Sequence, residues 1–417
     1  MRIVHVAPSY HPFVGGAESH LKAVSERLAR RGHELLVVTQ QKSIGLAGDR
    51  SVALPRDEVV NGVRIHRLDA DRVTPAVVER MVRWPGGYRL ARAVLGELGL
   101  RDPESWSAGF RARRAIRAFR PDVMGVVNWY FGGMVAAVAL GRRPSFARVG
   151  IPHFHSEEAW SRCPGYEVLI RRYDALLVNT EHERRFVESL APDGARVSVT
   201  GVGVEAGAYA SRDGARLRAR LGLGDAPVVG FLGRLDPSKG VVALIDAMPT
   251  VWARFPEARL LLAGPSFAEG SKAYRSIAAA LSRLAPEARR HVVQLEALED
   301  GDKGSFFDAL DVYAMPSIAE SFGIAYLEAW LCRKPVIGAD LGSTPFVIRA
   351  GVDGLLVDPH DPEAVARAIS ALLADPARRA RMGQAGYERT VGERTWDHVT
   401  QSIEGVYASL VEARRPR

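Results

Sequence analysis

Residues 316–338 read PSIAESFGIAYLEAWLCRKPVIG, a loop followed by a short apolar run. The spacing of apolar side chains over 324–331 predicts a helix that begins just after Gly323, where the missing Cβ lets a ligand approach the backbone. The first amides of a helix are unbonded and its N-terminus is electropositive, which suits a phosphate. Glu320 precedes this helix and Glu328 lies within it. The segment is therefore predicted to bind a nucleoside diphosphate.

The two glutamates take different parts in this prediction. At ~1.5 Å per helical residue, Glu328 lies several ångströms from the predicted phosphate site. A ribose sits at about that distance from its own pyrophosphate, so Glu328 is expected to accept hydrogen bonds from ribose hydroxyls. Glu320 is expected to face the group beyond the phosphates. The other predicted substrate-binding residues surround the helix start, where backbone amides are available: Ser321, Phe322, Gly323 and Ile324. Glutamates at this spacing also occur on solvated helix faces, so the interpretation depends on the rest of the chain.

A second loop, GRLDPSKG at residues 233–240, follows a predicted strand at 228–232 and precedes another helix. Arg234 and Lys239 flank this loop and can neutralise a diphosphate, the arginine as a two-pronged donor and the lysine as a point charge. The alternative is that both are ordinary surface charges. We expect their partner to be the diphosphate, so that neither has an ion pair within the protein.

The chain opens with a predicted strand at 3–7, a turn-rich loop, a helix at 17–31 and a second strand at 34–39. Gly15 and Gly16 stand just before the helix. They either form a tight turn or let a donor diphosphate or sugar approach the helix start. The dinucleotide fingerprint GxGxxG is absent from this opening, so binding of a nicotinamide dinucleotide is not favoured.

Several of these segments together resemble the retaining glycosyltransferases of family 4. The resemblance rests on ESFGIAYLEA (320–329), KPVIG (334–338), DGLLVDPHDPEAVARAI (353–369), GRLDPSKG (233–240) and GGAE (15–18). It implies an α/β protein of the GT-B fold, with two Rossmann-like domains whose parallel sheets face across a cleft. The expected divisions are an acceptor-side domain at 1–205, a nucleotide-sugar domain at 206–395 and a helix at 396–417 that crosses back to the first domain.

The resemblance also assigns roles to individual residues. Glu320 and Glu328 match the paired glutamates of the family. His153, which follows a predicted strand, matches a histidine that contacts the donor sugar near the reacting centre, and His155 is the second choice. A histidine in such a loop is otherwise more often a packed residue than a catalyst. The loop of Arg234 and Lys239 matches the phosphate clamp of the family, and the GGAE match favours a ligand role for Gly15 and Gly16.

The implied function is transfer of a sugar, with retained anomeric configuration, from a nucleotide diphosphate sugar to an unidentified acceptor such as a glycan, a glycolipid or a small-molecule glycoside. The catalytic residues would be His153, Glu320, Arg234 and Lys239, without a cofactor. One alternative is a nucleotide-sugar 2-epimerase, which uses a related fold and needs no acceptor. A second alternative is a nucleotide-sugar-binding protein that has lost catalysis.

Two short acidic runs, Asp69-Ala70-Asp71 and Asp300-Gly301-Asp302, allow a metal-dependent alternative. Such runs are common, and a metal would be redundant beside a cationic clamp. We therefore expect no metal.

Composition narrows the remaining classes. The 417 residues carry a net charge of +8, which suits an anionic partner, but no DNA- or RNA-binding motif accompanies it. Cys163 and Cys332 are too few and too far apart for a disulfide framework. No apolar stretch of about 18 residues or secretory signal is evident. We expect a cytoplasmic protein. The arginine-rich residues 80–120 are either a solvated helix or a surface that contacts the inner face of an anionic membrane.

Overall fold

The computed structural model describes residues 1–13, 15–41, 54–68, 103–129, 134, 138–139, 144–162, 165–193, 196–296, 298 and 301–414. The described chain forms two compact units. The N-terminal unit contains the residues up to Gly201 together with those from Trp396 onward, and the C-terminal unit contains Val202–Thr395. The first division follows Gly201, a few residues before the expected boundary at 205. The second follows Thr395, at the expected residue.

Fourteen strands are present among the described residues. They are β1 (Arg2–Val6), β2 (Glu34–Gln40), β3 (Asp57–Val60), β4 (Val63–Leu68), β5 (Val123–Val127), β6 (Ala147–Ile151), β7 (Ala175–Val178), β8 (Arg196–Val199), β9 (Val228–Leu232), β10 (Arg259–Ala263), β11 (Val292–Leu295), β12 (Val312–Met315), β13 (Val336–Ala339) and β14 (Gly354–Val357).

The α-helices follow most of the strands. They are α1 (Gly16–Arg30), α2 (Pro103–Phe119), α3 (Gly165–Ile170), α4 (Glu181–Leu190), α5 (Gly214–Arg220), α6 (Val241–Arg254), α7 (Lys272–Arg283), α8 (Pro286–Arg289), α9 (Asp302–Asp308), α10 (Ile324–Leu331), α11 (Pro362–Ala374), α12 (Pro376–Glu393) and α13 (Trp396–Glu412). Short 3-10 turns occur at Ala159–Arg162, Ala206–Tyr209, Pro237–Lys239 and Thr344–Phe346.

The N-terminal unit is built on an eight-stranded sheet in the order β3-β4-β2-β1-β5-β6-β7-β8. β3 pairs antiparallel with β4, whereas the pairs from β4 to β8 are parallel. The central strands are almost wholly buried, as expected for parallel strands covered on both faces. Parallel strands end at the same edge, so the loops after β1, β5 and β6 lie at one side of this unit.

The last helix, α13, belongs to the N-terminal unit. Tyr407 hydrogen-bonds through its hydroxyl to His5 Nε2 at 3.1 Å, and Arg27 donates to Asp397 at 3.1 Å. Gly125 leaves room for this hydroxyl, since a Cβ there would lie only 2.7 Å from it. The chain therefore returns from the C-terminal unit to complete the first one.

The C-terminal unit has a six-stranded parallel sheet in the order β11-β10-β9-β12-β13-β14. Strands and helices alternate along this half, and helix α11 begins with Pro362 behind the N-cap Asp361. The predicted α/β class with two parallel sheets is confirmed, and the strands predicted at 3–7, 34–39 and 228–232 agree with the structure within one residue at each end.

Only the end of the arginine-rich region 80–120 lies within the described residues, as helix α2. Its apolar side chains, Ala108, Ala112, Ile116 and Phe119, are buried in the core of the N-terminal unit. Arg114 and Arg117 lie on the exposed side. The described helices include none that combines the length and apolarity needed to span a bilayer.

Candidate active site

The two loops that carry the predicted diphosphate-binding residues are joined in the C-terminal unit. Gly240 has φ of 79°, and a Cβ on it would come within 2.1 Å of the Pro316 carbonyl oxygen. Only glycine therefore lets these backbones approach so closely. Ser317 Oγ and the Ile318 amide both donate to the Ser238 carbonyl, at 3.0 and 2.8 Å. The loop of residues 233–240, called the clamp loop below, is thus hydrogen-bonded to the loop before α10.

Lys239 reaches across this junction. Its Nζ donates to the Ala319 carbonyl at 2.9 Å and to Glu320 Oε1 at 2.7 Å. Both side chains of this ion pair are largely shielded, with exposed fractions of 16% and 11%. The lysine is held in place before any ligand arrives.

Arg234 begins the clamp loop and is held more loosely. Its guanidinium lies 3.5 Å from Asp236 Oδ2 and 5.6 Å from the ring centroid of Phe267. Within the described part of the chain, its Nε is buried and has no hydrogen-bond partner. A buried donor without an acceptor costs free energy, and this nitrogen still has a hydrogen bond to donate.

These contacts correct one expectation. Arg234 and Lys239 were predicted to have no ion-pair partner within the protein, but they pair with Asp236 and Glu320. Glu320 binds Lys239 in this ligand-free structure, and its expected place facing the group beyond the phosphates stays a prediction. The pairing of Lys239 with Glu320 was not predictable from local patterns, because the two residues are 81 positions apart in the chain.

Helix α10 begins as predicted. Gly323 is its N-cap residue with φ of 88°, and it provides no side-chain cap for the first amides. A Cβ on Gly323 would meet the ring of Tyr326 at 2.5 Å, while the Tyr326 hydroxyl donates to the Met315 carbonyl at 2.6 Å. Phe322 is buried beside Arg394, and Ser321 and Ile324 are partly buried. The helix start therefore has no side-chain cap, and it lies three residues after Glu320, the partner of Lys239.

Glu328 is buried within α10, with 7% of the residue exposed. Its Oε1 forms a short ion pair with Lys303 Nζ, whose side chain is 48% exposed. Burial raises the pKa of Tyr209 far above its usual range, and the neighbouring Glu328 carboxylate raises it further, also as a hydrogen-bond partner. Sequence reasoning missed both partners, since neither stands in a motif with Glu328.

In the N-terminal unit, Gly15 is the extended N-cap of α1 and Gly16 is its first residue. A Cβ on Gly15 would overlap the carboxylate of Glu18, which folds back over the helix start. Burial raises the pKa of Glu18 above its ordinary value. A larger residue at Gly15 would make the flexible Glu18 side chain move away. The choice between a tight turn and a ligand role for Gly15 and Gly16 stays a prediction.

His153 lies just beyond the carboxyl end of β6 with φ of 55°, a left-handed conformation that is uncommon for histidine. Its Nδ1 is 2.9 Å from Asn179 Nδ2, and its ring centroid is 5.1 Å from that of His20 in an edge-on contact. Burial, with a smaller effect from His155, lowers the pKa of His153 to about 4. The imidazole is therefore neutral at pH 7, and within the described residues its buried Nε2 has no hydrogen-bond partner.

His155 has a different setting. Its Nδ1 lies 3.7 Å from Glu158 Oε1, and its side chain is 26% exposed. The two histidines are separated by Phe154, which is buried in the core. Of the two, His153 has the deeper position at the strand end.

The acidic runs considered for a metal are only partly described. Asp302 forms a 2.6 Å ion pair with Arg220, and Asp69, Asp71 and Asp300 lie outside the described residues. In the described ranges, no group of three or more histidine, cysteine, aspartate or glutamate residues is arranged to hold a metal ion.

Comparison with known proteins identifies the family. The model for the "Glycosyl transferase 4-like domain" matches residues 15–203, and that for "Glycosyl transferases group 1" matches 215–389. A D-inositol 3-phosphate glycosyltransferase of Mycolicibacterium paratuberculosis is 32% identical over 426 residues, which cover 98% of this chain and 89% of the relative. The chain belongs to the group 1 glycosyltransferases of family 4. This glycosyltransferase is therefore an enzyme, and the match supports transfer over the epimerase alternative.

Solved structures similar to this glycosyltransferase confirm the fold. Sucrose-phosphate synthase from Thermosynechococcus elongatus has a TM-score of 0.77 at 22% identity, over 99% of this chain and all of that one. Anabaena HepE in complex with UDP-glucose has a TM-score of 0.72 at 21% identity, over 98% of this chain and 100% of HepE. The glycosyltransferase thus has the GT-B fold.

Proposed function

We propose that this glycosyltransferase takes its sugar from a nucleotide diphosphate sugar and transfers it with retention of anomeric configuration. The observation that carries the proposal is the junction of Lys239, Glu320 and the start of α10. There a fixed ammonium group binds Glu320, three residues before the N-cap of a helix whose first amides have no side-chain cap. Cations and helix amides are the groups that stabilise a diphosphate, both bound and as it departs with growing negative charge.

The clamp provides counter-charge from protein groups, and we propose that the reaction needs no metal or other cofactor. Arg234 would add its unpartnered Nε to the phosphates, and Glu328 would exchange Lys303 for the ribose hydroxyls. His153 would donate from Nε2 to the transferred sugar. Retention follows from the resemblance to the family, as does a route in which the acceptor attacks the same face that the diphosphate leaves.

The acceptor and the cellular setting are also proposals. The relative named above is a D-inositol 3-phosphate glycosyltransferase, so an inositol phosphate is the first acceptor to test. We propose a cytoplasmic location, since the two cysteines give no disulfide framework. A further proposal is that the arginine-rich residues 80–120 contact an anionic membrane. In α2 such a contact would be electrostatic, because the apolar side of this helix is buried.

The decisive experiment incubates the protein with a panel of nucleotide diphosphate sugars, with and without candidate acceptors. The proposal predicts a glycosylated acceptor of retained configuration, formed equally well in the presence of a chelator. Conversion of the donor sugar in the absence of any acceptor would favour an epimerase. Tight nucleotide binding with no turnover of any donor would favour a binding protein.

A further inference from the structure

A buried carboxylate ties together the two loops around His153. Glu183 is 1% exposed, and its Oε1 and Oε2 accept the amides of Phe154 and Asn179, both at 2.7 Å. Phe154 follows His153 after β6, and Asn179 follows β7. One carboxylate therefore fixes the ends of two neighbouring strands to each other.

This arrangement is more than a helix cap. In a capping box, the glutamate at the third helical position binds the amide of the N-cap residue. Thr180 does accept the Glu183 amide at 3.1 Å, but the Glu183 carboxylate passes over Thr180 and binds elsewhere. Burial raises the pKa of Glu183 to about 7, against the lowering effect of the two amides. A capping side chain can bind the free helix amides while it is exposed to solvent, so helix formation does not require the Glu183 carboxylate to be buried.

Asn179 continues the connection to the imidazole. It is 2% exposed, and its Nδ2 lies 2.9 Å from His153 Nδ1. An amide NH₂ group only donates, so with Asn179 Nδ2 facing the ring, His153 Nδ1 is the accepting, unprotonated nitrogen. A neutral imidazole then carries its proton on Nε2.

The opposite side of the imidazole is also confined. The His20 ring meets it edge-on at 5.1 Å, and Trp396 of α13 meets His20 edge-on at 5.5 Å. His153 itself is held at φ of 55°, a left-handed conformation that is unfavourable for a residue with a side chain. Neighbouring groups must therefore fix the backbone as well as the ring.

We infer that Asn179 and Glu183 are positioning residues that hold His153 as the tautomer with its proton on Nε2. Glu183 fixes the backbone at Phe154, after β6, and at Asn179, after β7, and the Asn179 side chain fixes the tautomer. The buried Nε2–H is then a neutral hydrogen-bond donor for a sugar oxygen. This last step rests on the proposed function, whereas the tautomer and its supports are properties of the N-terminal unit alone.

The tautomer can be measured directly in the ligand-free full-length protein labelled with ¹⁵N-histidine. Two-bond ¹H–¹⁵N spectra distinguish protonated from unprotonated ring nitrogens, and loss of signals in His153→Gln assigns the residue. We expect an unprotonated Nδ1 and a protonated Nε2 at neutral pH. A proton on Nδ1, or rapid averaging between the two nitrogens, would overturn the inference.

Asn179→Asp tests the cause of the tautomer. A carboxylate only accepts, so the proton of His153 should move to Nδ1, and Nε2 should lose its donor role. Turnover should then fall by about 10²-fold, the scale of a lost proton donor, with much less change in the KM for donor. An unchanged His153 spectrum, or parent-level turnover, would show that Asn179 does not set the tautomer.

Glu183→Gln tests the backbone support. The amide keeps the shape but turns an NH₂ group toward one of the two donating amides, so kcat should fall by about 10-fold while the KM for donor changes little. The matched control is Glu188→Gln, which removes the same charge from an exposed position on the same helix. Equal kcat in the two variants would contradict a positioning role for Glu183.

These measurements separate the inference from the proposed function. If the parent protein transfers no sugar, the proposed function fails while the spectra still decide the tautomer. If the parent transfers sugar but His153 carries its proton on Nδ1, the inference fails alone. Should Glu183→Gln fail to fold, the spectra of the parent and of Asn179→Asp still decide between the two tautomers.

Discussion

The candidate catalytic side chains of the C-terminal unit are charged and already paired, whereas His153 in the N-terminal unit is neutral. Lys239 binds Glu320, and Lys303 binds Glu328, before any ligand is present. His153 has a pKa of about 4 and, among the described residues, no partner at Nε2. In the C-terminal unit the charged side chains are already in ion pairs, whereas in the N-terminal unit His153 has a neutral ring nitrogen without a hydrogen-bond partner among the described residues.

The difference determines what each region must do when a donor binds. In the C-terminal unit, a diphosphate has to replace Glu320 as the partner of Lys239, and a ribose has to replace Lys303 as the partner of Glu328. These ion pairs therefore already stabilise the empty protein. In the N-terminal unit, a new hydrogen bond forms without breaking an old one. Substitutions in the first region should therefore affect stability as well as catalysis. Substitution of His153 should mainly affect catalysis.

The largest expected effect is on the clamp. Lys239→Ala should lower the transfer rate at saturating donor by about 10²–10³-fold, since the departing diphosphate loses a fixed donor. It should also lower the melting temperature, because Glu320 loses its cation. The double variant Lys239→Met with Glu320→Gln removes both charges and should recover most of the melting temperature but none of the rate.

The control for the clamp is Lys272→Ala, an exposed lysine of the same unit. Lys272→Ala should match the parent in both rate and melting temperature. A Lys239→Ala protein that transfers sugar at the parent rate would place the diphosphate elsewhere.

A smaller effect is expected at the second ion pair. Glu328→Ala should weaken donor binding by about 1.5–3 kcal/mol, the value of a hydrogen bond to a charged group. Lys303→Met should bind donor at least as well as the parent, because the ribose no longer competes with the ammonium for Glu328. Calorimetry measures both. Equal loss of affinity in the two variants would make Lys303 a donor-binding residue rather than a competitor.

The smallest effect concerns pH and the N-terminal unit. His5 is fully buried and bonds to Ser25 and Tyr407, and burial lowers its pKa to about 4. The unfolded chain takes up this proton near pH 6.5, so the stabilisation is complete above that value and is lost as the pH falls towards 4. The slope should be about 1 kcal/mol per pH unit within this window.

Denaturant unfolding across the same pH window checks this expectation in the parent and in His5→Gln. The stability of the variant should depend less on pH. Glu183 contributes with the opposite sign, since its raised pKa makes its contribution fall as the pH rises towards 7, but it is the same in both proteins. Parallel curves for the parent and His5→Gln would contradict the expectation.

The sequence predicted those parts of the structure that depend on neighbouring residues. The strand at 228–232 and the helix at 324–331 were both visible as local patterns. The hairpin of β3 and β4 was missed, although Asn61-Gly62, with φ of 49° and 82°, is a typical two-residue turn signal.

The contacts that distinguish the two units were not predictable, because they join residues far apart in sequence. The sequence gives no sign that Lys303 binds Glu328 or that Asn179 meets His153. The left-handed backbone of His153 is likewise set by its surroundings, since histidine has no strong local preference for it. The motifs pointed to the candidate residues, and the tertiary structure determined which partner each of them has.

The central claim is that the junction of Lys239 and α10 binds a diphosphate. The direct measurement is calorimetric titration of the parent and the Lys239→Met, Glu320→Gln double variant with nucleoside diphosphates and with the matching nucleosides. Because the base is not known, the titration uses a panel of nucleoside diphosphates, with UDP and uridine as one matched pair. For at least one base the parent should bind the diphosphate far more tightly than the nucleoside, and the double variant should lose most of that difference. Equal affinity of the parent for diphosphate and nucleoside with every base of the panel, or an undiminished preference for the diphosphate in the double variant, would contradict the claim.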